Sequence, residues 1–115
     1  MSSKRVLDVV AAFIHQKQRI FLAQRMKDDN YPLLWEFPGG KVEFQEKRKD
    51  ALRRELQEEL GILAEIGKLV GIFTDENDFL KIFVYLYEVS RFEGEIKNIE
   101  CNNSGFFTLD EILGL

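Results

Sequence analysis

Apolar and polar positions divide the chain into two strand-like runs, a long helical stretch and a second group of strands. Val6 to Ile14 and Arg19 to Ala23 are β-branched and aromatic, and the polar HQKQ between them predicts a hairpin. Residues 24 to 35, QRMKDDNYPLLW, are polar and contain a proline, which predicts a loop. Lys47 to Leu60 has no Gly, Pro or β-branched residue and is rich in good helix formers, so it predicts one long helix. Leu52, Leu56 and Leu60 give that helix an apolar stripe at i, i+4 and i+8, and Gly61 stands where a left-handed C-cap is wanted. Leu63 to Ile72 holds short apolar runs broken by Gly67 and Gly71, followed by the polar loop TDENDF. Leu80 to Val89, LKIFVYLYEV, is the strongest strand signal, and its near-continuous apolar character predicts a central strand covered on both faces. Arg91 to Asn103 reads as a charged loop, Gly105 to Thr108 as a short strand, and Leu109 onward as a helix with Asp110 and Glu111 at its start. Strands interspersed with one long helix predict a mixed α/β domain.

With 115 residues the chain has room for one domain, 1–115. It is 45% hydrophobic and 31% charged with no long apolar run, which predicts a soluble protein with no membrane span. The N-terminal MSSKRVLDVV lacks a signal peptide's apolar region, so a cytoplasmic location is expected. The formal net charge of −4 and the absence of a basic patch with interleaved aromatics argue against a nucleic-acid duplex as partner. Cys101 is the only cysteine and His15 the only histidine; far apart in sequence, they read as a non-catalytic thiol and a turn or surface residue.

At about 100° per residue, Glu55, Glu58 and Glu59 share one helix sector roughly 100° wide, beside the leucine stripe. Like charges at i, i+3 and i+4 repel, so something positive must compensate. Either Lys47, Arg48, Arg53 and Arg54 relieve a solvated face, or a hard divalent cation, Mg2+ or Mn2+, takes the carboxylates as oxygen ligands.

The full stretch decides between them. From Gly40 the spacing runs to Glu46, Arg54-Glu55-Leu56, Glu58-Glu59 and Gly61-Ile62, which is G-x5-E-x7-R-E-U-x-E-E-x-G-U with U a bulky aliphatic. This resembles the signature of the Nudix hydrolases. IFLAQR, LLWEFPGGKVE, YEVSRFEGEIKNIE and GFFTLDEI extend the likeness over most of the chain, toward the MutT group. The resemblance implies a Nudix fold, an α/β/α sandwich around a mixed β-sheet with a loop-helix-loop motif. It also implies divalent metal held by Glu55, Glu58, Glu59 and a Gly39 carbonyl. Glu100, where EGE-x4-E places it, would be a further ligand or the base, so Glu59, Glu58 and Glu100 are the candidate bases. Arg54 would orient a carboxylate, Gly40, Glu46 and Gly61 would be structural, and Lys41, Arg25 and Phe37 would meet the substrate.

The activity implied is hydrolysis of a nucleoside triphosphate to monophosphate and pyrophosphate, as in the removal of 8-oxo-dGTP that serves DNA repair. The same motif also suits CTP, a dinucleoside polyphosphate or a nucleotide sugar, and a non-catalytic nucleotide-binding module is the reading from another class. The partner is a small nucleotide, and the chain a monomer or homodimer. MutT-like proteins carry a further loop and helix after the segment matching GFFTLDEIL. Without it Val84 and Leu86 would be only partly covered, which predicts self-association through that face or a natural chain extending past Leu115, and weak discrimination of 8-oxo-dGTP from dGTP.

Overall fold

A computed structural model describes residues 4–115. The hairpin forms as expected, from β1 (Arg5–Gln16) and β2 (Arg19–Gln24), joined at Lys17-Gln18 with both residues at positive φ. Two consecutive left-handed residues match the twist of the flanking strands. Next come β3 (Trp35–Glu36) and β4 (Gly39–Lys41), then α1 (Arg48–Leu60), then β5 (Leu63–Glu65), β6 (Leu69–Glu76), β7 (Leu80–Val89), β8 (Arg91–Glu93), β9 (Asn103–Phe107) and α2 (Leu109–Leu113). The main sheet has seven strands, with β3-β2-β1-β7-β6 in order, β4 on β1 and β9 on β2; β5 and β8 pair separately. Since β1 and β7 run parallel while their other neighbours are antiparallel, the sheet is mixed.

Alternation along β1 sorts the two faces. Val10, Ala12 and Ile14 are completely buried and meet Ala51, Leu52, Leu56 and Leu60 of α1, together with Tyr87 and Val89 of β7. The leucine stripe and these sheet residues belong to one hydrophobic core cluster, where each buried leucine adds roughly 1.5–3 kcal/mol. Gly61 closes α1 at φ 72°, its N–H donating to the Gln57 carbonyl. The N-cap is Lys47, which has no capping side chain, and the first turn is held instead by Arg48. The Arg48 guanidinium lies 4.1 Å from the Tyr85 ring centre, and its Nε donates to the Tyr87 hydroxyl at 3.0 Å. Arg48→Ala should lower the melting temperature by roughly 4–8 °C, the shift for about 1 kcal/mol in a domain of this size. An unchanged thermal melt would show that the stack adds nothing.

Several expectations are corrected. TDENDF is a loop only from Asn77, because Thr74–Glu76 continue β6 and pair with Lys81–Phe83. The charged stretch from Arg91 contains β8, whose three residues pair with β5, and β9 already begins at Asn103. β7 does lie inside the sheet, yet Leu80–Tyr85 are only half-buried, so its outer half lacks a full cover. Val84 is half-buried as expected, whereas Leu86 is buried. His15 sits in β1, not in a turn, 3.2 Å from a Glu88 carboxylate oxygen. The second helix is short, with no buried residue, and begins with a capping box between Thr108 and Glu111. Among the described residues no helix is long and apolar enough to cross a membrane.

Candidate active site

The loop between β4 and α1 is tied to the helix by one guanidinium. Arg54 Nε and Nη2 donate to the two Glu46 carboxylate oxygens at 2.9 and 3.0 Å, and Nη2 also donates to the Lys41 carbonyl at 3.1 Å. Its Nη1 donates to Glu55 at 3.0 Å and reaches Glu58 at 3.4 Å. These hydrogen bonds, chiefly the Arg54 fork, hold the Glu46 carboxyl down at about 2. Among the candidate residues, Arg54 and Glu46 therefore form the frame, and Glu55 and Glu58 lean on it.

Glycine is needed twice here. A Cβ on Gly39 would fall 1.9 Å from the Val10 carbonyl oxygen, so β4 can lie on β1 only without one. A Cβ on Gly40 would stand 2.4 Å from the Glu55 carboxyl carbon, so Gly40 leaves the space that this carboxylate fills.

Glu59 stands inside this frame. One of its carboxylate oxygens, Oε2, is buried with no hydrogen-bond partner, the only such side-chain atom among the described residues. Burial, then the charges of Glu55, Glu100 and Glu36, push its carboxyl up to about 8, against a smaller opposing effect of the Gly39 backbone N–H. Glu100 is brought here by backbone bonds: Lys97 N–H donates to the Leu60 carbonyl, and the Ile99 and Glu100 N–H groups donate to the Glu59 carbonyl. These acceptors are end carbonyls of α1 that no later turn can satisfy. Burial also raises the Glu55 carboxyl, over the opposing pull of Arg54.

A cleft of about 380 Å3 is walled by Val9, Ala11 and Val84 of the sheet with Phe37, Gly39 and Gly40, and Lys41, Arg25 and a single carboxylate, Glu36, also line it. Phe37 packs at 6.0 Å from Phe13 and keeps part of its ring exposed. Arg25 is not free: its guanidinium donates to the Asn30 carbonyl at 2.6 Å, to Asp29 at 2.9 Å and to Glu36 at 3.1 Å. It thereby fastens to β3 a loop that is shorter than the expected 24–35, since Gln24 closes β2 and Trp35, paired with it, opens β3. Sequence reasoning missed Glu36, which pairs with Arg25, lines the cleft and acts on Glu59. Its position just ahead of Phe37-Pro38-Gly39-Gly40 was the available signal.

As the side chains stand, no three acidic, histidine or cysteine groups among the described residues converge on one point. The donor set nevertheless fits a hard divalent cation. Unpartnered buried oxygen on Glu59, with the charges of Glu55 and Glu100 acting on it, is a concentration of negative charge that a bound cation would relieve.

Known proteins resemble this chain in sequence and in fold. The chain is 41% identical over 93 residues to a CTP pyrophosphohydrolase of Escherichia coli, covering 81% of this chain and 69% of that protein. It is 37% identical to an 8-oxo-dGTP diphosphatase of Haemophilus influenzae, covering 80% of this chain and 68% of the other. The solution structure of the E. coli ORF135 protein superposes with a TM-score of 0.85 at 37% identity, over 96% of this chain and 79% of that one. With the NUDIX domain family matching residues 4–115, the chain belongs to the Nudix hydrolases, which act on phosphoanhydride bonds of nucleotides.

Proposed function

We propose that the protein hydrolyses nucleoside triphosphates to the monophosphate and pyrophosphate, using Mg2+ or Mn2+ held by Glu55, Glu59 and Glu100, with Glu58 and the Gly39 carbonyl completing the set. The observation that carries this reading is the buried, unpartnered Glu59 oxygen amid three further carboxylates. When bound, the cation supplies charge for the phosphate oxygens and acidifies the attacking water. The chain's own residues do the rest. Arg54 keeps Glu55 on the metal side of the helix, Lys41 offers an ammonium to a phosphate, and Phe37 with the apolar sheet wall receives the base. Glu59, Glu58 and Glu100 are the candidates for receiving the water's proton, with the Glu100 charge acting on Glu59.

Two substrates lead within this class, CTP and 8-oxo-dGTP, each named for one of the relatives above. An assay with Mg2+ over CTP, dCTP, dGTP, 8-oxo-dGTP, a dinucleoside polyphosphate and a nucleotide sugar separates them, scoring pyrophosphate against orthophosphate. Release of pyrophosphate from a triphosphate, abolished by EDTA, is the expected result. Hydrolysis of only the sugar or dinucleotide substrates would overturn it, as would nucleotide binding without turnover.

A further inference from the structure

Glu100 lies in the segment 94–102 between β8 and β9, and its charge acts on both Glu55 and Glu59. On one side this segment rests on the end of α1, where the Ile99 and Glu100 N–H groups donate to the Glu59 carbonyl at 3.0 and 3.3 Å. On the other side it is fastened to β2 by Asn102, which bonds twice to a single residue. The Asn102 N–H donates to the Gln24 carbonyl at 2.9 Å, and its side-chain Nδ2 donates to Gln24 Oε1 at 2.8 Å. Only Cys101 separates Glu100 from this second anchor, so its backbone is held from both directions. Asn98 braces the segment from within, its Oδ1 accepting from Cys101 Sγ at 3.4 Å and from the Ser104 hydroxyl. Gln24 is itself a junction. As the last residue of β2 it pairs with Trp35 of β3 on one side and Asn103 of β9 on the other. Its Nε2 donates to the Leu33 carbonyl at 3.1 Å while Oε1 takes the Asn102 donor, so both ends of the amide are in use. A carboxylate only accepts and an ammonium only donates, which leaves a side-chain amide as the group that can do both.

We propose that Asn102 and Gln24 are positioning residues for the reaction, their side-chain amide pair holding Glu100 beside Glu55 and Glu59; this rests on the reading of Glu100 as a metal ligand. The backbone bond between the two residues is a pivot about which the segment can turn. The second bond, made by the side chains of the same two residues, fixes the angle at which the chain leaves Glu100 for β9. Asn102 is exposed, so its replacement leaves no buried polar group unpaired and the fold stays intact.

Calorimetric Mn2+ binding to the full chain without substrate tests this, with Asn102→Ala and Gln24→Met, which spare the backbone bond between the two residues. Each should weaken Mn2+ binding by about fivefold, the equilibrium worth of one hydrogen bond, and the double variant should lose no more than Gln24→Met alone. A Glu100→Gln background separates positioning from general loosening. There Asn102 has no ligand left to position, so Asn102→Ala should take nothing further from Mn2+ affinity or kcat, whereas a merely structural role subtracts in both backgrounds. Amide exchange in EDTA gives a metal-free signature: the Glu100 N–H should exchange faster in both variants, while those of the buried Leu56 and Leu60 keep their wild-type rates. If Glu100→Gln leaves Mn2+ affinity and kcat unchanged, the reading of Glu100 falls and the positioning role falls with it. If Glu100→Gln is impaired while Asn102→Ala binds Mn2+ or exchanges its Glu100 amide like the wild type, the reading of Glu100 stands and the positioning role is overturned. An Asn102→Ala loss that adds in full to that of Glu100→Gln overturns it equally.

Discussion

Glu59→Gln should leave a folded protein whose turnover with Mg2+ has fallen by roughly a hundredfold or more. Loss of an outer-shell partner alone typically costs metal sites 10–100-fold, and Glu59 is proposed as a direct ligand. The substitution keeps the shape of the side chain and removes a charge from a group surrounded by Glu55, Glu100 and Glu36. Stability therefore should not fall with activity. A glutamine variant of full activity would remove Glu59 from the site; an unfolded one would show that the carboxylate is needed for the fold instead.

The same carboxylate makes a pH prediction of definite sign. Folding raises the Glu59 carboxyl from 4.5 to about 8, so the folded chain holds a proton that the unfolded chain gives up. Below pH 4.5 both states are protonated and there is no penalty. Between 4.5 and about 8 the folded state loses stability as pH rises, at up to about 1.4 kcal/mol per unit, and above that the deficit is constant. In EDTA, the melting temperature of the wild-type protein should decline from pH 5 to pH 8.5, and the decline should be shallower for Glu59→Gln. Mg2+ at pH 8.5 should restore the wild type and do little for the variant. Parallel melting curves for the two proteins across this range would contradict the assignment of the unpartnered oxygen.

Where one side chain carries a strong local rule, the sequence was readable. α1 and its left-handed Gly61 follow from helix propensity and a C-cap, and β7 matches its apolar run residue for residue. The acidic sector next to the leucine stripe likewise follows from helical geometry, because the same periodicity that buries Leu52, Leu56 and Leu60 places the glutamates beside the core. β6 was harder. Thr74, Asp75 and Glu76 form strand through pairing with β7 while their side chains face solvent, so nothing in their polarity distinguishes them from a loop. β3 and β8, two and three residues long, have no pattern to detect. Arg25 shows a different limit: the resemblance implies a substrate contact, but its donors are used by Asn30, Asp29 and Glu36, partners that only the folded loop brings within reach.

Arg54→Lys should be nearly as damaging as Arg54→Ala, although it keeps the charge. Lysine has a single ammonium where arginine has a planar fork, and here the fork holds both Glu46 oxygens, Glu55 and the Lys41 carbonyl at once. Glu43 at 3.7 Å and Glu58 at 3.4 Å lean on the same group, so its loss leaves four carboxylates facing one another between the loop and α1. A fall in melting temperature of roughly 10 °C or more is expected for both variants, since breaking a partly buried, hydrogen-bonded charge network is among the larger single-residue effects. Acid titration separates this network from general destabilisation. Glu46 is held at about 2 against an ordinary 4.5, so its contribution is full above pH 4.5 and is lost as pH falls toward 2. The wild-type protein should lose stability through that window, and Arg54→Ala, which has already lost the pairing, should lose less of it. The kinetic consequence follows from Glu55, which without Arg54 no longer has its carboxylate held beside Gly40. Mg2+ affinity should then weaken along with kcat, read as a higher Mg2+ concentration for half-maximal activity. An Arg54→Lys enzyme that melts and binds Mg2+ like the wild type would show that one positive charge suffices and that the fork geometry has no role.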